Sequence, residues 1–106
     1  MSSLINVSES DFSSVVLESK VPAVCVLTAP SWCPPCKLLH PILEDLASES
    51  KDQYLVAVLD IDDSPDLAKQ YGVKAVPTTI AFKDGKETTR LNGLQSKTNL
   101  LKLLSQ

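Results

Sequence analysis

The sequence has little of what nucleic-acid-binding, membrane-spanning or disulfide-stapled proteins require. Ten Lys and Arg against thirteen Asp and Glu give a net charge of −3, and the scattered lysines form no basic stripe for a nucleic-acid backbone or an anionic membrane. No apolar run approaches the roughly 18 to 20 residues that cross a bilayer, and the polar start "MSSLINVSESDF" lacks the apolar stretch of a signal peptide. We therefore expect no nucleic-acid or membrane partner, and a mature cytoplasmic protein or a precursor that has already been trimmed.

Cysteine and glycine are also scarce. Three cysteines are too few, and odd in number, for the disulfide framework of a small secreted protein. With 43% hydrophobic residues, 22% charged residues and only three glycines, the composition is that of an ordinary globular protein. At 106 residues the chain fits the commonest domain size, so we expect one domain over residues 1–106, and a monomer.

The apolar pattern predicts strands that alternate with helices. The runs "VPAVCVLTA" and "YLVAVLDID" are continuously apolar, as in the buried strands of a parallel sheet. Ser8 is predicted to cap a first helix that ends near Lys20, and Ser96 to cap the last helix. Asp84-Gly85 predicts a hairpin between the last two strands. The predicted order is β-α-β-α-β-α-β-β-α, an α/β fold with a central mixed sheet of about five strands and four helices covering both faces.

The stretch "SWCPPCK" places Cys33 and Cys36 where a strand ends and an amphipathic helix begins. Unpaired N–H groups and the positive end of the helix dipole favour a thiolate there, and a C-x-x-C at a helix start lowers the pKa of its first cysteine. The offset of three brings Cys36 one turn beneath Cys33, so a disulfide can close and reopen. A thiolate at Cys33 would attack a partner's disulfide, and Cys36 would then attack Cys33 to release the reduced partner. Such exchange requires no bound cofactor.

Two other interpretations of this stretch are open. Cys33, Cys36 and His40 form a C-x-x-C-x-x-x-H pattern that could hold a metal, yet a structural zinc site needs a fourth ligand, and outside Cys25 the sequence supplies none. Alternatively, both cysteines are inert core residues and the prolines simply begin a helix, which leaves the clustering of tryptophan, two cysteines and lysine unexplained. We predict no metal site, and we expect Cys25 to be a small buried hydrophobe within a strand.

The stretches "SWCPPCK", "VPTTIAFKDGK" and "NGL" together resemble the thioredoxin family, whose active site usually reads W-C-G-P-C-K. The similarity spans nearly the whole chain and implies the thioredoxin fold. It implies that Cys33 is the nucleophile and Cys36 the resolving thiol. It further implies a set of residues that support the active site, with the proline of the V-P-T stretch in the cis form: Trp32, Pro34, Pro35, Lys37 and Pro77. An apolar docking surface for substrate would be framed by Trp32, Ile61, Ala75, Val76, Gly93 and Leu94.

The sequence departs from the family at three places. Pro34 replaces the glycine between the cysteines, which removes an N–H and stiffens the ring. Leu27 and Val58 occupy the positions of a buried aspartate and a lysine, so the usual base for Cys36 is absent. We expect hydroxide, a water relay or the departing thiolate to deprotonate Cys36, and release of the mixed disulfide to be slower and more pH-dependent. Ala29 replaces an aromatic residue, which predicts a roomier or repacked pocket behind the site.

The resemblance implies a dithiol:disulfide oxidoreductase that reduces protein disulfides and is recharged by a thioredoxin reductase, a flavin enzyme that uses NADPH. The chain itself is expected to bind neither cofactor. One alternative is a disulfide exchanger or electron donor with a narrow range of partners, not served by the standard reductase. Another is a non-catalytic binding module that holds a partner on the surface around Trp32 and Val76, although retention of both cysteines argues against it.

Overall fold

The structure is a computed structural model that describes residues 4–105; residues 1–3 and 106, the ends of the predicted domain, lie outside the described part. Its elements follow one another in the predicted β-α-β-α-β-α-β-β-α order, which is thereby confirmed. The strands are β1 (Ile5–Val7), β2 (Ala23–Thr28), β3 (Leu55–Asp60), β4 (Thr78–Lys83) and β5 (Lys86–Asn92). The helices are α1 (Pro34–Ser48), α2 (Pro65–Gln70) and α3 (Lys97–Leu104), and a π-helical turn (Ser13–Leu17) precedes β2.

The five strands form one mixed sheet in the order β1-β3-β2-β4-β5. Strand β3 pairs in parallel with β1 and β2, whereas β4 pairs antiparallel with β2 and β5. Asp84 and Gly85 turn the chain between β4 and β5 with φ of 53° and 79°. An Asp-Gly pair tolerates this left-handed conformation, so the predicted hairpin forms where it was expected.

Helices cover both faces of the sheet. Successive side chains of a strand point to opposite sides, so a strand that is apolar throughout must be covered on both. All six residues of β2 are buried, which explains why this strand is continuously apolar. On one face α1 and α3 pack against the sheet through Val24, Val26, Leu39, Leu43, Leu46, Val56, Leu100 and Leu103. On the other face the π-helical turn and α2 pack through Phe12, Val16, Cys25, Leu27, Leu59, Leu67 and Ile80. The predicted α/β architecture with two covered faces is confirmed.

The first helical segment begins later and is shorter than predicted. Asp11 Oδ1 accepts a hydrogen bond from the Ser8 backbone N–H at 2.6 Å, and the Ser8 hydroxyl turns to the same carboxylate oxygen at 3.3 Å. Because this hydroxyl bonds to a carboxylate and not to a helical N–H, the predicted Ser8 cap forms only in part. Regular winding starts at Ser13, and the Glu18 N–H donates to the Ser13 carbonyl, an i→i+5 bond. The segment therefore ends at Leu17, short of the predicted Lys20.

Candidate active site

Two hydrogen bonds join the end of β2 to the start of α1 and place the cysteines at this junction. The Ala29 carbonyl accepts from the N–H groups of Trp32 (3.1 Å) and Cys33 (3.0 Å), so the chain turns sharply after the strand. Cys33 then occupies the N-cap of α1 with extended φ and ψ of −112° and 102°. Pro34 and Pro35 follow in the first turn, where a missing N–H costs least and a fixed φ favours helix.

The prolines leave the Cys36 N–H as the first backbone donor of the helix, and it donates to Cys33 Sγ at 3.3 Å. Cys33 and Cys36 form a disulfide with their Cα atoms 5.3 Å apart. Cys36 Sγ also accepts the Ala29 N–H at 3.5 Å, and Cys33 Sγ lies 3.7 Å from the Val76 carbonyl oxygen. Each sulfur thus accepts one backbone N–H, Cys33 Sγ that of Cys36 and Cys36 Sγ that of Ala29.

Two of the predicted docking residues pack against the cysteine pair. Ile61 and Val76 are half-buried and pack against a small cluster made by Ala29, Cys33 and Cys36.

Trp32 and Leu94 are large apolar side chains that remain 58% and 47% exposed. The other predicted members are Ala75, which is exposed, and Gly93, whose N–H donates to the Pro77 carbonyl at 2.7 Å. The Val76–Pro77 peptide bond is cis, as the resemblance implies.

Asp62 is a residue at this site that the sequence reasoning missed. Its carboxylate accepts from the Trp32 indole Nε1–H at 3.0 Å and from the Ser31 hydroxyl at 3.1 Å. These bonds fix the orientation of an otherwise exposed ring. A signal was present, because parallel strands β2 and β3 end at the same edge of the sheet, and "IDD" directly follows β3 as "APSW" follows β2.

The two positions where the family places buried charges face different sides of the sheet. Val58 lines a cavity of about 280 Å³ together with Cys36, Thr28 and Asp60. Leu27 instead belongs to the core cluster on the opposite face, which also contains Cys25. Val58 therefore shares a cavity with Cys36, whereas Leu27 packs in the core on the other face of the sheet.

His40 and Lys37 lie on the exposed side of α1. His40 is 3.9 Å from Glu44, one helical turn along. Both cysteines of the C-x-x-C-x-x-x-H pattern are engaged in the disulfide. Within the described part of the chain, no group of three or more His, Cys, Asp or Glu residues is placed to hold a metal ion.

Cys25 is chemically separate from the disulfide pair. It is a free, fully buried cysteine in the middle of β2, and burial raises the pKa of its thiol to about 12 because a thiolate there would lose its hydration. Iodoacetamide should therefore label Cys33 and Cys36 after reduction but leave Cys25 unmodified until denaturant is added, as peptide mass spectrometry would measure. Labelling of Cys25 at the same rate in the folded protein would contradict this assignment.

A disulfide-forming C-x-x-C pair at the start of a helix, on an α/β sheet, defines the class of thiol–disulfide redox proteins. The family model for thioredoxin matches residues 3–106. The chain belongs to the thioredoxin family, as its sequence predicts, and is a thioredoxin-type oxidoreductase. No helix within residues 4–105 is long and apolar enough to cross a membrane.

Bacterial thioredoxins resemble the chain over most of its length. A thioredoxin of Rickettsia felis is 38% identical over 96 residues, which cover 91% of this chain and 90% of that protein. A thioredoxin of Mycobacterium tuberculosis is 39% identical over 104 residues, or 98% of this chain and 89% of that protein. A bifunctional thioredoxin reductase/thioredoxin of Mycobacterium leprae is 40% identical over 101 residues, which cover 95% of this chain but only 22% of the larger protein.

Proposed function

We propose that the chain reduces disulfides in other proteins through the Cys33–Cys36 pair. The observation that carries the proposal is the disulfide at the start of α1, directly beside a tryptophan that is more than half exposed. An anion at this helix start is stabilised by the Cys36 backbone N–H and by the helix dipole. A thiolate formed at Cys33 on reduction is therefore the nucleophile, and Cys36 resolves the intermediate.

The exchange proceeds in two steps. Cys33 Sγ attacks one sulfur of the substrate disulfide, a mixed disulfide forms, and the other substrate sulfur leaves as a thiolate. Cys36 Sγ then attacks Cys33 Sγ, the Cys33–Cys36 bond forms, and the second substrate sulfur leaves with the electron pair. The substrate gains two electrons and, from solvent, two protons. The protein ends oxidised, in the disulfide form that the structure shows.

The residues around the pair have supporting roles. Pro34 and Pro35 preset the first turn of α1, and the exposed Lys37 adds positive charge near it. Pro77 is fully buried next to Val76, whose carbonyl approaches Cys33 Sγ. These contacts hold the reacting sulfur in place while a partner approaches.

The docking surface accounts for binding of extended protein segments. An extended substrate segment pairs with the backbone of Ala75 and Val76, and its apolar side chains lie among Trp32, Ile61, Gly93 and Leu94. The exposure of the Trp32 and Leu94 side chains supports this proposal, because large apolar side chains exposed to water are typical of binding surfaces.

The electrons come from a thioredoxin reductase, so that flavin and NADPH act only through this partner. The name of the bifunctional Mycobacterium leprae relative, which joins a thioredoxin reductase to a thioredoxin, supports this pairing. The protein acts as a monomer of one domain, residues 1–106, in electron transport and redox homeostasis of the cytoplasm. A chloroplastic relative in Chlamydomonas reinhardtii, 35% identical, marks another compartment in which the family occurs.

Insulin reduction tests the proposal. With dithiothreitol as reductant the wild-type protein should accelerate precipitation of insulin chains, and Cys33→Ser should fall to the uncatalysed rate because the nucleophile is gone. Cys25→Ala is the matched control: it also removes one cysteine, but one that is buried away from the disulfide, and activity should persist. Activity that survives Cys33→Ser, or none in the wild type, would contradict the proposal.

The same assay separates the specialised donor from a general thioredoxin. When dithiothreitol is replaced by NADPH and a thioredoxin reductase, a general thioredoxin remains active, whereas a narrow-range exchanger becomes inactive. The alternative is favoured by Leu27 and Val58, two aliphatic residues at positions where the family places charges. A non-catalytic binding module would be inactive with either reductant.

A further inference from the structure

The cavity beside Cys36 contains acid–base groups that the proposed exchange does not yet use. Its volume is about 280 Å³, and its lining residues come from four elements and two connecting segments. The titratable groups are Cys36 and His40 from α1 and Asp60 and Asp63 at the end of β3 and just beyond it. The remaining lining residues are uncharged: Asn6, Thr28, Pro30 and Val58. A space of this size and polarity holds water, since one molecule needs only about 10 to 15 Å³ and a few polar partners.

Asp60 is the carboxylate that the strand register places next to the resolving sulfur. Thr28 and Asp60 are direct partners in the parallel pairing of β2 and β3, so their side chains share a face about 4.8 Å apart. The residue after Thr28 is Ala29, whose N–H donates a hydrogen bond to Cys36 Sγ at 3.5 Å. The carboxylate is thus one strand away from the backbone group that holds the sulfur, a gap that roughly one or two waters can bridge.

The Asp60 side chain is also fixed in position. Its Oδ1 accepts the N–H of Asp62 at 2.9 Å, a local turn bond, and its Oδ2 accepts no hydrogen bond from any residue in 4–105, so that it is left to cavity water. The other candidates are placed less well. His40 lies on the exposed side of α1 near Glu44, and Asp63 is exposed beyond the end of the strand.

We infer that Asp60, acting through cavity water, accepts the proton of Cys36 when the mixed disulfide is resolved. The inference rests on the proposed roles of the two cysteines. As the Cys36 thiol attacks Cys33 Sγ, its proton passes through water to the Asp60 carboxylate. The new Cys33–Cys36 bond forms, and the bond from Cys33 to the substrate sulfur breaks. The leaving thiolate keeps the electron pair and takes a proton from solvent, and Asp60 returns its own proton to the water. A fixed base of this kind makes resolution less dependent on hydroxide, and the wild type would then lack the stronger pH dependence that the loss of the buried aspartate predicts on its own.

Stopped-flow reaction of the reduced protein with one equivalent of Ellman's reagent tests the inference. Attack by Cys33 releases one coloured thiolate, and closure by Cys36 releases the second, so both steps are seen separately in one trace. Asp60→Asn retains the oxygen that accepts the Asp62 N–H but removes the base. It should leave the first phase unchanged and slow the second by roughly a hundredfold at neutral pH, the low end of general-base contributions.

The pH profile distinguishes proton transfer from a structural effect. The second phase of the wild type should depend weakly on pH across neutrality, whereas in Asp60→Asn it should rise about tenfold per pH unit as hydroxide takes over. Asp63→Asn, the same change on the same cavity, should match the wild type. An unchanged second phase in Asp60→Asn, an equal loss in Asp63→Asn, or parallel pH profiles would overturn the inference. A missing first phase in the wild type would overturn the proposed function as well.

Discussion

Cys36→Ser is expected to stop turnover after a single event and to leave the substrate covalently attached to Cys33. The nucleophilic step needs only Cys33, which remains at the start of α1 with the backbone N–H of residue 36 as its donor. The serine hydroxyl is a far weaker nucleophile than a thiol, so the mixed disulfide cannot be resolved from within the chain. Mixing the pre-reduced variant with oxidised insulin, without excess reductant, should yield a stoichiometric adduct by intact-mass measurement, whereas the wild type yields reduced insulin and no adduct.

The location of the adduct gives the sharper test. Peptide mapping should find it on Cys33, and dithiothreitol should release it with the insulin chain. The paired variant Cys33→Ser retains Cys36 and Cys25, yet it should form no adduct at a comparable rate, because neither of these cysteines occupies the N-cap of α1, where a backbone N–H and the helix dipole favour a thiolate. An adduct mapped to either of these cysteines, or turnover retained by Cys36→Ser, would contradict the assigned roles.

Features that depend on neighbouring residues were predictable from the sequence. The apolar runs of β2 and β3, the Asp84-Gly85 turn and the Ser96 cap all form as expected, and the Ser96 hydroxyl accepts the Asn99 N–H at 3.1 Å. The disulfide pair falls in the same category, because Cys33 and Cys36 are one helical turn apart and the prolines between them determine where the helix begins. Local physics is sufficient in each case.

Features that depend on tertiary register were not predictable. Asp62 meets Trp32 across a sequence separation of thirty residues, and the cavity at Cys36 is lined by Thr28 and Asp60, which the strand register brings side by side. The first helix shows a subtler limit. Ser8 and Asp11 have the spacing of a capping pair, but the Ser8 hydroxyl bonds to the Asp11 carboxylate and not to a backbone N–H of the helix. Sequence propensity does not distinguish these two hydrogen bonds. A single residue of register decides which side of the sheet receives a side chain, which is why Leu27 and Val58 separate.

The largest effect on stability is expected from Leu39→Ala. Leu39 is 1% exposed on the face of α1 that packs against β2 and α3. Truncation removes buried apolar atoms and leaves a cavity that the surrounding helices and sheet fill only in part, at a cost of about 3 to 5 kcal/mol in the free energy of unfolding. For a domain of this size each kcal/mol lowers Tm by roughly 4 to 8 °C. Urea titration followed by circular dichroism would measure the loss.

Leu38→Ala is the matched control for this prediction, because it makes the same chemical change one position earlier in the same helix. Leu38 is 62% exposed, so its truncation should change the free energy of unfolding by no more than about 0.5 kcal/mol. Both variants keep the disulfide and the prolines that begin α1, so a difference between them reports packing alone. Equal losses in the two variants would show that packing of the buried face does not hold α1 against the sheet. The position of Cys36 next to Ala29, at the end of β2, would then need another cause.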